Sequence, residues 1–171
     1  MRRKMLLPLF LCLLLTLKPA AANEQKIFCE KSYTNFAWGY QHGGMYVDPR
    51  GNLYSYASAA GDKPWSSETD LPTEQELERK YSRGRKLIRK IDPRELREKF
   101  RLVEPAKKGQ FSKRVQQGAD RGESVSRCYL FDAATGRYKE VELKVEGDWS
   151  YENLAPSGRE LARWLESLKA E

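Results

Sequence analysis

The sequence predicts an α+β fold: an antiparallel sheet built from two hairpin regions, with helices packed on one face. Two turn-bearing apolar segments, one toward each end of the chain, and two amphipathic stretches of helical period carry that expectation. Their order is strands, helices, strands, helix, without the βαβ alternation that a parallel sheet requires.

Residues 1–22 precede this pattern and read differently. Arg2, Arg3 and Lys4 form a positive start, an apolar run follows from Met5 to Leu17, and Ala20-Ala21-Ala22 places small residues at −3 and −1 of a cut after Ala22. That is the order of a cleavable signal peptide. The apolar run is 13 residues long, short of the roughly 20 that cross the hydrocarbon of a bilayer. Lipid attachment at Cys12 is disfavoured because Leu11, not a small residue, precedes it. The expected product is one secreted α+β domain, residues 23–171, with no transmembrane segment after cleavage and a periplasmic or fully secreted location.

The first hairpin region runs from Ile27 to Tyr56. Met45-Tyr46-Val47 and Leu53-Tyr54-Ser55-Tyr56 flank Asp48-Pro49-Arg50-Gly51-Asn52, where proline presets φ and glycine accepts a positive one. Ile27-Phe28-Cys29 and Phe36–Tyr40 read as further strands, and 57–72 as a polar loop. A helix begins at Thr73, where Thr73-x-x-Glu76 makes a capping box; Leu77, Tyr81, Gly84, Ile88 and Ile91 continue its apolar stripe. Asp92-Pro93-x-Glu95 starts a second helix, which carries Leu96 and Phe100 and stops at Pro105. Residues 106–124 are polar and glycine-punctuated. Val125–Phe131 and Tyr138–Val145 form the second hairpin about Asp132–Gly136, with Val141, Leu143 and Val145 alternating with charged residues. Ser157-x-x-Glu160 caps the last helix, whose stripe is Leu161, Trp164, Leu165 and Leu168.

Of the three cysteines, Cys29 and Cys128 remain after the leader. An even pair in an oxidising compartment is expected to form a disulfide, and a bridge closing so long a loop contributes roughly 4–5 kcal/mol when unstrained. The leader also removes four of the 31 basic residues, so the mature balance is 27 against 24 acids, or +3 rather than +7. That charge is unevenly spread: Arg79 to Arg114 holds 15 Lys/Arg and four acids. A basic surface attracts anionic polymers or an acidic partner, and export makes nucleic acid an unexpected ligand.

Catalytic motifs are sparse. His42, the one histidine, sits in Gln41-His42-Gly43-Gly44 and reads as a turn or surface residue. A Cys–His pair would need a free thiolate, no G-x-S-x-G elbow exists for a serine triad, and one histidine does not make a multi-histidine zinc site. No metal site and no cofactor are expected. Acidic residues are numerous, but Asp48, Asp120 and Asp148 lie beside glycine or proline, where turn geometry accounts for them. Nine of the 18 aromatic residues left after the leader fall between Phe28 and Trp65. Such rings fill a sheet core or form a platform for sugars and partner proteins. The candidate binding residues are therefore Trp38, Tyr40, Tyr46, Tyr54 and Tyr56 among the rings, and Arg83, Arg85, Arg89 and Lys90 among the cations.

Several short motifs bear a resemblance. Trp38-Gly39-Tyr40 leads to Tyr46-Val47-Asp48-x-x-Gly51-x-x-Tyr54-x-Tyr56; Ala119-Asp120-x-Gly122 follows, then Gly147-Asp148, Asn153, Pro156 and a closing Leu-x-x-Trp-Leu helix. In these the chain resembles a group of uncharacterised secreted bacterial single-domain proteins. The resemblance implies an exported domain and no activity. The expected function is that of a non-enzymatic extracytoplasmic interaction protein, binding a protein partner or an anionic envelope polymer; an inhibitor or immunity-type protein is one specific form. The alternative is a small cell-envelope hydrolase using a carboxylate pair.

Overall fold

The computed structural model describes residues 27–59, 61–66 and 69–168; the expected signal peptide 1–22, with Cys12, lies outside the described residues. In chain order the elements are β1 (Ile27–Asn35), β2 (Gln41–Val47), β3 (Asn52–Ala57), α1 (Glu74–Ser82), β4 (Lys86–Lys90), α2 (Pro93–Phe100), α3 (Val103–Lys107), β5 (Val115–Gln116), β6 (Glu123–Asp132), β7 (Arg137–Gly147), β8 (Trp149–Glu152) and α4 (Pro156–Ser167). The strands form one antiparallel sheet in the order β4-β3-β2-β1-β6-β7-β8-β5. The α+β class and the two hairpin regions are as the sequence predicts. β1 and β6 join the two regions.

Both hairpin turns form for the expected reasons. Asp48 Oδ1 accepts hydrogen bonds from the N–H groups of Arg50 and Asn52, at 2.9 and 2.8 Å, and Gly51 takes φ +82°. At the second turn the Gly136 N–H donates to the Asp132 carbonyl at 2.8 Å, with Gly136 at φ +67°. Phe36–Tyr40 differs from expectation: it is the connection between β1 and β2 rather than a strand.

Strand alternation divides the interior in two. Cys29, Val47, Leu53, Cys128, Leu130 and Leu143 point to one face, where α2, α3 and α4 cover them with Leu96, Val103, Leu161 and Leu165. The neighbouring positions Phe28, Tyr46, Tyr56, Tyr129 and Tyr138 point the other way and meet Leu77 and Tyr81 of α1. Helices therefore pack on both faces, whereas the sequence predicts them on one. The rings account for this: with large apolar side chains alternating on both sides of the central strands, each face needs its own cover. Cys29 and Cys128 are directly opposed partners in the β1–β6 ladder, bonded to each other with Cα atoms 3.9 Å apart and no exposed surface.

Three helix boundaries also depart from expectation; one is the end of the second helix, which stops at Phe100, with Pro105 inside α3 rather than closing α2. The Thr73–Glu76 capping box forms: Thr73 Oγ1 accepts from the Glu76 N–H at 3.2 Å and Glu76 Oε2 accepts from the Thr73 N–H at 2.7 Å. The helix nevertheless stops at Ser82, and Lys86–Lys90 becomes edge strand β4 against β3. Gly84 causes the break, because it adopts φ +57° and lies so close to β3 that a Cβ would come within 2.8 Å of the Ala57 carbonyl oxygen. At α4 the N-cap is Ala155 rather than Ser157. Pro156 disfavours helical geometry in the residue before it, which sets the boundary, and Asn153 Oδ1 accepts from the freed Ala155 N–H at 3.0 Å.

The turn at Gly84 gives a test of sign. In a helix interior, Gly84→Ala would stabilise by up to about 1 kcal/mol. At a left-handed position facing a carbonyl it is expected to destabilise by about 1–3 kcal/mol, read as a lower urea midpoint at unchanged slope.

Candidate functional site

The aromatic face carries a buried charge cluster. Phe28 and Glu30 are two apart on β1 and share this face, and Glu30 has no exposed surface. Lys80 stands three residues after Leu77 on α1, so it too points at the sheet rather than to solvent. Its Nζ donates to Glu30 Oε1 at 2.5 Å. The hydroxyls of Tyr129 and Tyr56 donate to Glu30 Oε1 and Oε2, each at 3.1 Å. Arg127 Nε lies 3.3 Å from Glu30 Oε1, and Arg127 Nη1 donates to Glu140 Oε2 at 2.8 Å. Burial alone would raise the Glu30 pKa; the attraction of Lys80 and Arg127, with the hydrogen bonds, outweighs it and brings the carboxyl down to about 2. Glu30 is thus a carboxylate at neutral pH. Burial and the neighbouring carboxylate both hold the Tyr56, Tyr81 and Tyr129 phenols well above their ordinary pKa, so they stay protonated.

A cleft of about 610 Å³ opens beside this cluster, between α1, the ends of β2 and β3, Ser58 and residues 61–66. Tyr40, Tyr56 and Trp65 supply rings to its wall. Trp65 is fixed at both ends of its residue: its backbone N–H donates to Tyr40 Oη and its indole Nε1 to the Glu76 carbonyl, each at 3.3 Å. The Lys80 ammonium sits over the Trp65 ring, 4.9 Å from its centroid. Lys63, Arg79 and Arg83 add positive charge to the lining, while Asp62 is occupied by an ion pair with Arg83. Lys63 and Arg79 make no ion pair among the described residues.

His42 lies on β2 rather than in the expected turn, and it lines the same cleft. Its Nδ1 is 2.8 Å from Thr34 Oγ1, and its ring stacks on Tyr40 with centroids 6.0 Å apart. Burial, then the charge of Lys80, pushes its pKa down, so the imidazole is neutral at pH 7. Nε2 is buried with no hydrogen-bond partner among the described residues, a costly state.

The structure scatters the residues singled out from the sequence. Trp38 is 84% exposed on the β1–β2 connection, and Tyr40 and Tyr56 reach the cleft. Tyr46 is core, stacked on Tyr81 at 4.0 Å. Tyr54 lies against Tyr46 and beneath the Arg85 guanidinium, 5.3 Å from its ring centroid. Arg83 is at the cleft rim, whereas Arg89 and Lys90 are exposed on edge strand β4 and do not join it. The candidate binding residues do not include Glu30, Lys63, Trp65, Arg79 or Lys80, although Trp65 closes the aromatic-rich segment and Arg79 opens the basic one. For Lys80 and Glu30 a signal existed, since each falls on the apolar phase of its element. Nothing local marks Lys63, which a loop places.

Carboxylates from separate elements share two further cavities, Glu104 with Asp132 in one of about 450 Å³ and Glu152 with Glu166 in one of about 360 Å³, and Glu104, Glu152 and Glu166 are ion-paired there with Lys107, Arg159 and Lys144. Glu140 and Glu142 line a cavity of about 420 Å³, with burial pushing Glu142 up. They are two apart on β7 and project side by side from one strand, whereas a glycosidase pair flanks the scissile bond.

Two outcomes follow for the cluster. The folded pKa of Glu30 is depressed below its unfolded value of roughly 4.3, so its stabilisation is full above that value. It should be lost as pH falls from about 5 toward 2, measured as urea midpoints across that range. Lys80→Met should destabilise by about 3 kcal/mol, the lower end for breaking a buried pair because Arg127 still faces Glu30. No protein-family model, curated protein or solved structure matches this chain.

Proposed function

We propose that the domain is a non-enzymatic extracytoplasmic binding protein whose cleft holds an anionic envelope polymer, a glycan bearing carboxylates. One observation carries the reading: three rings and two cations without ion-pair partners among the described residues, Lys63 and Arg79, line one cavity of about 610 Å³. Aromatic faces stack on the apolar faces of sugars, and guanidinium and ammonium groups bind carboxylates through charge-assisted hydrogen bonds. The volume falls in the range of about 300–1,000 Å³ typical of ligand sites.

Two features support the non-enzymatic side. Glu30 is locked as a carboxylate among cations, which removes it as a proton donor, and Asp62 is engaged by Arg83. The Cys29–Cys128 disulfide, together with the signal-peptide pattern of residues 1–22, supports an oxidising location. No described helix is long and apolar enough to cross a membrane.

The test is calorimetric titration with polygalacturonate. Binding should weaken with salt and fall about tenfold in Arg79→Glu, while reversal of Arg89 and Lys90 on β4 leaves it unchanged. If reversal at β4 abolishes capture of a protein from periplasmic extract and the Arg79 variant binds polymer like the parent, the protein-partner reading replaces this one.

A further inference from the structure

The cleft is one of two adjoining cavities. The second, about 490 Å³, shares Tyr40, His42, Ala57, Ser58 and Gly61 with the first and extends toward Trp38 and Tyr33 at the β1–β2 connection. Their chemistry differs. The first is lined by Lys63, Arg79, Lys80 and Arg83. The second has no charged side chain among its described lining residues; its polar groups are the Tyr33 and Tyr40 phenols, Gln41, neutral His42 and Ser58. His42 stands on the common wall, with its Nε2 unpartnered among the described residues.

The geometry points to a linear glycan in which an acidic sugar alternates with a neutral one, the acidic unit in the cationic cavity and the neutral unit against Trp38. This rests on reading the cleft as a site for an anionic polymer. A carboxylate in the second cavity would be desolvated against rings with no cation to pair it, which is unfavourable. A neutral sugar there stacks its apolar face on the indole and offers hydroxyls to Gln41 and Ser58. A polymer acidic at every unit fits only the first cavity. One that alternates fits both, with His42 forming part of the wall they share.

The experiment compares four probes: free glucuronate, a hyaluronan tetrasaccharide (glucuronate alternating with N-acetylglucosamine), a tetragalacturonate, and a neutral dextran oligomer. Binding is followed through the indole N–H resonances of Trp38 and Trp65. The expected order is hyaluronan tetrasaccharide tightest and dextran weakest, with glucuronate shifting Trp65 alone. Trp38→Ala, a change at an exposed site, should weaken the hyaluronan tetrasaccharide about fivefold or more and leave glucuronate unaffected. Arg79→Glu should weaken both about tenfold.

Equal affinity for tetragalacturonate and the hyaluronan tetrasaccharide, or a Trp38→Ala variant that binds the latter unchanged, overturns the alternating-sugar inference. The cleft reading survives that result so long as glucuronate still shifts Trp65 and responds to Arg79. Absence of any shift with all four probes overturns both.

Discussion

Glu30 is a carboxylate with no path to water, and the aromatic half of the molecule is arranged around that constraint. An unpaired buried charge costs several kcal/mol, so cations must be brought to it. Lys80 comes from α1 and Arg127 from β6, while Tyr56 and Tyr129 fill the remaining acceptor sites from β3 and β6. These partners lie 26 to 99 residues from Glu30 in sequence, so satisfying one carboxylate pins a helix across four strands. The cleft is the space beside that pin. If α1 shifted, the Lys80–Trp65 contact and the cleft wall would move with it.

The opposite face depends on a different kind of closure. Cys29 and Cys128 are bonded across adjacent central strands beneath α2, α3 and α4, surrounded by aliphatic side chains. One sheet thus has a dry aliphatic side that supplies cohesion and a polar aromatic side that supplies chemistry. The division follows from alternation alone. In β1, Phe28 and Glu30 go one way and Cys29 the other; β2 repeats it with Tyr46 and Val47.

Much of the fold was legible in the sequence because its signals are local. Asp48-Pro49-Arg50-Gly51 and Asp132–Gly136 specify their own turns, Thr73-x-x-Glu76 its own cap, and an even pair of cysteines its bond. What failed was decided by neighbours far along the chain. Leu77, Tyr81, Gly84, Ile88 and Ile91 keep helical spacing, but Gly84 meets the Ala57 carbonyl on β3, and the chain turns into an edge strand there. At the last helix Pro156 overrides the Ser157 box and moves the N-cap to Ala155. The site was less legible than the fold. The rings at 28–65 and the cations at 79–83 stood out as separate clusters, and only the sheet order shows that Tyr40, Trp65 and Arg79 face one space.

Edge strand β4 has a further consequence. Its outer edge carries Lys86, Arg89 and Lys90, with Leu87 the exposed apolar side chain between them. Open backbone donors and acceptors on a strand invite pairing with an identical strand, and two such strands side by side would bring like charges together. The electrostatic penalty guards the sheet against growing into fibrils.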